Sequence, residues 1–232
     1  MRLVFLTFIA SFIYIIVRIV LAPTVEPLSE ITVRVKSDYV FMLALCTIGL
    51  LAMMLPGYLR RRVRLDIPNV MMIAYALFLY CAIYLGEIRN FYYTVAHWDT
   101  VLHMFSGVAL GTLGFSIVSL LSKSEYITFS LGPAFVAIFA FCFALALGSI
   151  WEISEFTVDS LLHTNSQKYA LETGEDLVGQ AALVDTMKDL IVDAIGALAV
   201  STVGYISLKH RKGWLEKFYI RRLEENSEER VD

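Results

Sequence analysis

Three short segments of this sequence place carboxylate and imidazole side chains at the ends of hydrophobic stretches. Residues 97–103 read HWDTVLH, residues 151–155 read WEISE, and residues 185–193 carry three aspartates at four-residue intervals. Ionisable groups are costly to bury at membrane depth, so each needs a partner, a water-filled cavity or a function. Carboxylates that are forced together share protons or bind a cation, and carboxylates with imidazole are ligands of zinc, manganese or iron.

The elements that carry these segments are hydrophobic stretches long enough to cross a membrane. The chain has 232 residues, of which 58% are hydrophobic and 18% charged, and this composition is typical of membrane proteins. A spanning helix needs about 20 apolar residues. We therefore predict an all-α polytopic membrane helix bundle over residues 1–208, with a cytoplasmic tail over residues 209–232. The six predicted spans are residues 3–22, 39–55, 70–85, 100–121, 127–153 and 187–208.

Basic residues predict the orientation of this bundle, because loops rich in arginine and lysine stay in the cytoplasm. Residues 60–64 contain four arginines after the second span, and residues 209–222 contain six lysines and arginines after the sixth. Both termini and the connection at Lys123 are therefore expected in the cytoplasm. The loops at 86–99 and 154–184 are expected on the outer side.

The first span has an alternative interpretation as a cleaved signal sequence that ends with Val20, Leu21 and Ala22. Arg18 within the apolar stretch and Pro23 just after it argue against cleavage. We expect this span to stay in the bundle.

The tail has an amphipathic pattern. Trp214, Leu215, Phe218 and Tyr219 share one side of a helix drawn over residues 214–223, with basic residues among them. This pattern predicts a cytoplasmic amphipathic helix on the anionic inner leaflet. The alternative is a solvated tail, which is what the composition of residues 224–232 indicates.

The predicted topology brings the three polar segments to one depth, in the outer third of the membrane. Residues four apart share a helix face, so each segment forms a stripe. Each stripe continues into glycine on the same face, at Gly107, Gly148 and Gly196. Small residues let membrane helices approach closely, so we expect these three faces to pack against one another.

Helix capping is the simplest alternative for two of the acidic residues. Asp99 and Asp185 stand where an N-cap is expected, and aspartate is favoured there. Capping does not explain Asp189, Asp193 or His103, which lie inside the predicted helices. A closed network of protonated acids and ion pairs, with Arg18 and Lys188 as the basic partners, is a second alternative.

The residue types and spacing favour a metal-dependent enzyme, a hydrolase or transferase acting on a lipid-linked or amphiphilic substrate from the outer leaflet. In this hypothesis a divalent ion (Zn, Mn or Fe) activates a bound water and Glu155 acts as the general base. The expected metal ligands are Asp99, His103, Glu152, Asp185 and Asp189. Besides this substrate, the expected partners are the membrane lipids. No motif indicates an organic cofactor or a nucleic acid.

Two other functions use the same residues. The carboxylates could form the relay of a cation- or proton-coupled transporter, although no internal repeat typical of transporters is evident. They could also be a structural network that fixes helix packing. The loop from Ser160 to Val184 is long, and Gly174, Gly179 and Gln180 would let it fold back over the acidic cluster as a lid; a disordered loop is the alternative.

The three motifs resemble those of the YjdF-like bacterial inner-membrane proteins of unknown function. The resemblance covers residues 90–205 and rests on His97-Trp98-Asp99-xxx-His103, Trp151-Glu152-xx-Glu155 and Asp185-Thr-xx-Asp189. Asp193 and His97 are less typical of that family. The resemblance implies a multi-pass bacterial membrane protein with these residues at its centre, and it implies no activity.

Overall fold

The computed structural model describes residues 1–23, 34, 36–122, 131–162, 164–171 and 175–223 of the chain. Lys123, Ile127, Gly174 and residues 224–232, which enter the predictions above, lie outside the described residues. Six described helices are long and apolar enough to cross a membrane, which confirms the all-α polytopic bundle. The helices are α1 (Arg2–Leu21), α2 (Lys36–Tyr58), α3 (Asn69–Leu79), the short α4 (Phe91–Thr94), α5 (Trp98–Ser122), α6 (Pro133–Leu162) and α7 (Gln180–Lys209). The segments Leu59–Val63 and Tyr80–Ile88 continue α2 and α3 as π-helix.

The helices form two packed groups. The first consists of α1, α2 and the end of α3, around the buried side chains of Phe8, Ile15, Met42 and Cys46. Arg18 belongs to this group, where its Nε donates to Tyr39 Oη at 3.0 Å and its guanidinium lies over the same ring. The prediction that Arg18 is a partner of the acidic residues is therefore wrong. An aromatic ring on the neighbouring helix takes the guanidinium instead.

The second group consists of α5, α6 and α7, which pack directly against one another and carry all three polar segments. Glycine permits the close approach of α5 and α7. A Cβ on Gly107 would lie 2.5 Å from the backbone oxygen of Asp193, and a Cβ on Gly196 would lie 2.7 Å from the backbone oxygen of Met104. The expectation that the glycine-bearing faces pack together is confirmed.

At the end that carries the acidic residues, two of the polar helices extend further than the apolar stretches predict. The fifth spanning helix, α6, begins at Pro133 and continues to Leu162, nine residues past the predicted end at Ile153. The sixth, α7, begins at Gln180 rather than at 187. Hydropathy marks the lipid-crossing part of a helix, whereas backbone hydrogen bonds also continue through polar residues. Asp185 is therefore well inside α7, and the N-cap interpretation is wrong for this residue.

The tail after α7 is not the predicted amphipathic helix. Residues Glu216–Phe218 form a single 3-10 turn, and strand β2 (Arg221–Arg222) pairs antiparallel with strand β1 (Leu65–Asp66) after α2. Leu215 is buried against α5 and α6, and the backbone N–H of Ile220 donates to Ser116 Oγ of α5 at 2.7 Å. The apolar side chains that suggested a membrane-bound face are used to dock the tail on the bundle.

Candidate metal centre

The deepest part of the site is a pair formed by Asp193 of α7 and His103 of α5. Asp193 is 1% exposed, and its Oδ2 lies 3.2 Å from His103 Nδ1. Its other oxygen accepts a hydrogen bond from Ser106 Oγ at 2.8 Å. Gly148 of α6 leaves the room for this carboxylate, since a Cβ there would lie 2.5 Å from Asp193 Oδ2.

The contact with Asp193 determines which nitrogen of His103 is available to a ligand. An ionised carboxylate only accepts hydrogen bonds, so the imidazole proton belongs on Nδ1. The lone pair is then on Nε2, which points away from Asp193. A carboxylate that orients an imidazole in this way is the usual outer-shell partner of a metal-binding histidine.

His103 Nε2 faces carboxylates from three helix positions. It lies 3.7 Å from Asp99 Oδ1, 3.8 Å from Glu152 Oε1 and 3.9 Å from Asp189 Oδ2. These separations exceed hydrogen-bonding distance. Ligand atoms about 2.0–2.2 Å from one tetrahedral ion stand about 3.3–3.6 Å apart, so each of these three oxygens lies within about half an ångström of the separation from His103 Nε2 that a shared ion requires. The ligand atoms of Asp99, His103 and Asp189 all lie within 4.8 Å of one another.

Several oxygens at this point are buried without a partner. Both carboxylate oxygens of Glu152, which is 4% exposed, and Oδ1 of Asp189 have no hydrogen bond from the described residues. A buried carboxylate without a counter-charge costs several kilocalories per mole. A cation among these oxygens would remove that cost.

One turn further out, a lysine meets the remaining acids of the cluster. Lys168 Nζ bonds to Asp99 Oδ2 and lies 3.2 Å from both oxygens of Asp185. Burial by itself lowers the pKa of Lys168, but the charges and hydrogen bonds of Asp99 and Asp185 outweigh it and raise the pKa above its ordinary value. Lys168 is therefore an ammonium ion under physiological conditions. It forms the ion pairs that were predicted for Lys188, whose charge interacts with that of Asp185 but which forms no ion pair with a described residue.

The loop that carries Lys168 is anchored on α6 and α7. Asp159, a buried residue of α6, accepts hydrogen bonds from Thr164 Oγ1, from Ser166 N and from Gln167 N at 2.6–2.9 Å. Gln167 Nε2 donates to Thr186 Oγ1 of α7 at 2.8 Å. The described part of the loop thus folds back over the acidic cluster, as the lid interpretation expected.

The positions of the predicted residues divide them into three sets. Asp99, His103 and Asp189 have ligand atoms within 4.8 Å of one another, and Glu152 Oε1 lies 3.8 Å from His103 Nε2. Asp185 lies further out and contacts Lys168, so its role as a metal ligand stays a prediction. Glu155 lies at the border of the cluster, where its Oε1 accepts a hydrogen bond from Trp151 Nε1 at 3.0 Å and its charge interacts with those of Glu152 and Asp99.

Sequence reasoning underestimated or missed three residues. Asp193 is not among the expected metal ligands, although it extends the four-residue spacing of Asp185 and Asp189 and is the most deeply buried of the three. Ser106 is an ordinary helix residue in the sequence, and nothing marks it. Lys168 follows no periodic pattern because it lies in a loop, and only the fold places it on Asp99.

Comparison with known proteins gives the family of the chain. The family model described as "Predicted membrane protein (DUF2238)" matches residues 3–210. The chain belongs to this family. It is also 28% identical over 144 residues to an uncharacterized protein from Thermotoga maritima, in a segment that spans 62% of this chain and 65% of that relative. No solved structure matches the chain. The predicted multi-pass membrane protein of an uncharacterised family is thereby confirmed.

Proposed function

We propose that this membrane protein binds one divalent metal ion among Asp99, His103, Glu152 and Asp189, and uses it in hydrolysis or group transfer. The observation that carries the proposal is that Glu152 and Asp189, which both face His103 Nε2, have buried oxygens without a hydrogen bond from the described residues: both oxygens of Glu152 and Oδ1 of Asp189. A buried carboxylate without a counter-charge either takes up a proton or binds a cation, and the imidazole among these acids favours the cation. An imidazole whose Nδ1 is bonded to Asp193 directs its Nε2 toward the other carboxylates, which is the orientation of a metal-binding histidine.

The ligand set indicates the kind of ion. One imidazole and three carboxylates, with no thiolate, suit zinc, manganese or iron. Such an ion would act as a Lewis acid and activate a bound water. The four proposed ligands would hold the ion, Asp193 orients His103, and Asp185 is paired with Lys168. Glu155, at the edge of the cluster, is therefore the acidic side chain that is available as a general base.

The surroundings of Glu155 favour an amphiphilic substrate. Its neighbours Trp151, Ile153 and Phe156 on α6 are all exposed on the apolar surface of the bundle. A substrate held in the lipid could therefore approach the cluster sideways along α6. We infer that the substrate is lipid-linked or amphiphilic and that it reaches the site from the outer leaflet.

The orientation of the chain is part of the same proposal. β1 and β2 join the basic loop after α2 to the basic tail, so these two basic segments lie at the same end of the bundle. The candidate metal centre lies at the opposite end of α5, α6 and α7. By the positive-inside rule both termini are cytoplasmic and the metal centre faces outward. The resemblance to the YjdF-like proteins also stays a prediction, and the metal site does not depend on it.

Metal analysis of purified variants tests the proposal. We expect the wild-type chain to hold about one equivalent of a divalent metal, and Asp189→Asn to lose it, because this substitution removes a charged ligand with little change of volume. Glu155→Gln is the matched control: it should keep the metal and lose turnover. A wild-type chain that stays metal-free after incubation with Zn²⁺, Mn²⁺ and Fe²⁺ would overturn the metal site. An Asp189→Asn variant with full metal content would overturn this ligand set.

A further inference from the structure

Lys168 lies between the candidate metal centre and the outer end of the bundle. Asp99 precedes His103 by one helical turn on α5, and Asp185 precedes Asp189 by one turn on α7, so these two acids stand about 6 Å outward of the inner ones. The Lys168 ammonium bonds to both outer acids at once. It thus closes the space between α5 and α7 directly above His103.

The ammonium also shares a carboxylate with the metal centre. Asp99 directs Oδ2 to Lys168 and Oδ1 toward His103 Nε2. An ion that approaches from the outer side meets the positive charge of Lys168 before it meets the buried oxygens of Glu152 and Asp189. An ion that leaves toward the outer side passes the same charge.

The loop is built to hold Lys168 in this place. Lys168 adopts a left-handed backbone conformation with φ of 48°, which is unfavourable for a residue with a side chain. The Asn165 side chain bonds to both the N–H and the carbonyl of Ala170, and Ala170 pairs with Asp176 across the loop. Asp159 fixes the start of the loop on α6. These contacts hold the backbone in this strained conformation, which places the Lys168 ammonium against both Asp99 and Asp185.

We propose that Lys168 is the gate of the metal centre, a positioning residue whose ammonium must leave Asp99 and Asp185 before an ion enters or leaves from the outer side. This inference rests on the proposed metal site. The side chain of Lys168 is 30% exposed, so it can leave toward water without unfolding a helix. Its departure breaks the ion pairs and leaves the anchored start of the loop in place.

Zinc release from purified, zinc-loaded protein tests the gate. An excess of a coloured zinc chelator reports the release rate, and competition at equilibrium reports the affinity. We expect Lys168→Met to release zinc on the order of tenfold faster, which corresponds to about 1.4 kcal/mol of barrier. Its equilibrium affinity should be unchanged or higher, because a nearby positive charge has been removed. Faster exchange without weaker binding distinguishes a gate from a lost ligand.

Matched variants complete the experiment. Lys168→Arg keeps the charge, and Lys212→Met removes an exposed lysine at the opposite end of the bundle; both should release zinc at the wild-type rate. Asp159→Asn, which loosens the anchor and keeps Lys168, should also release zinc faster.

The possible results separate the two proposals. Wild-type release rates in Lys168→Met would overturn the gate and leave the metal site intact. Faster release with proportionally weaker affinity would also overturn it, because Lys168 would then support a ligand rather than control access. A wild-type chain that binds no zinc or other divalent ion would overturn the metal site itself, and the gate with it.

Discussion

Gly148→Ala should damage the metal centre without touching any ligand. The added Cβ would lie 2.5 Å from Asp193 Oδ2, whereas ordinary contact begins near 3.4 Å. The carboxylate must therefore retreat by about 0.9 Å. The displacement disturbs the contact between Asp193 Oδ2 and His103 Nδ1, which at 3.2 Å already lies at the upper limit of hydrogen-bonding distance.

The expected magnitude follows from the role of Asp193 in orienting His103. Loss of an outer-shell partner of this kind typically lowers metal affinity about 10- to 100-fold, or about 1.4–2.7 kcal/mol. The effect on the stability of the fold is smaller. Overpacking costs about 1–3 kcal/mol, and replacing a helical glycine by alanine returns about 1 kcal/mol.

The assay is metal affinity by chelator competition on monodisperse protein in detergent. Gly57→Ala is the control, because it makes the same change in α2 where no atom lies within 4 Å of the new Cβ. A double-mutant cycle with Asp193→Asn tests whether Gly148→Ala acts through Asp193. If it does, the losses of metal affinity in the two single variants should not add in the double variant. A folded Gly148→Ala variant with wild-type affinity would refute the reasoning, and so would additive losses.

Three further predictions concern the tail, the loop and the orientation. Ser116→Ala leaves the part-buried N–H of Ile220 without this acceptor, so thermal unfolding in detergent should show a loss of about 0.5–1.5 kcal/mol; an unchanged melting temperature would contradict the docking of the tail. The pKa of Lys168 is raised above its ordinary 10.5, so its ion pairs stabilise the folded loop fully below that pH and are lost as the pH rises through the folded pKa. Protease resistance of the loop should therefore stay constant from pH 7 to about 10 and fall above it, and a decline within that range would refute this role. In intact cells expressing otherwise cysteine-free protein, an impermeant maleimide should label Ser166→Cys and spare Lys212→Cys, and the reverse pattern would invert the proposed orientation.

Helical periodicity predicted most of the candidate metal centre because its parts lie on helices. Asp99 with His103, and Asp189 with Asp193, are one turn apart, and the glycines that follow them allow α5 and α7 to approach. The loop that carries Lys168 has no such period. Its position depends on contacts that are distant in sequence, from Lys168 to Asp99 and from Gln167 to Thr186, and no local pattern contains that information.

The tail was mispredicted for a related reason. Trp214, Leu215, Phe218 and Tyr219 fit one face of a helix, and a helix is the simplest structure for that pattern. The chain instead uses Leu215 to cover α5 and α6, and pairs β2 with a strand about 150 residues earlier. A pattern within a short stretch of sequence cannot indicate strand pairing over such a distance.

X-ray absorption at the metal edge of the purified chain tests the central claim most directly. The proposed ligands predict a first shell of one imidazole nitrogen and carboxylate or water oxygens at about 2.0–2.2 Å, with no sulfur. His103→Ala should remove the imidazole scattering or the metal altogether. A first shell containing sulfur near about 2.3 Å, or an imidazole signal that persists in His103→Ala, would contradict a metal centre built on His103.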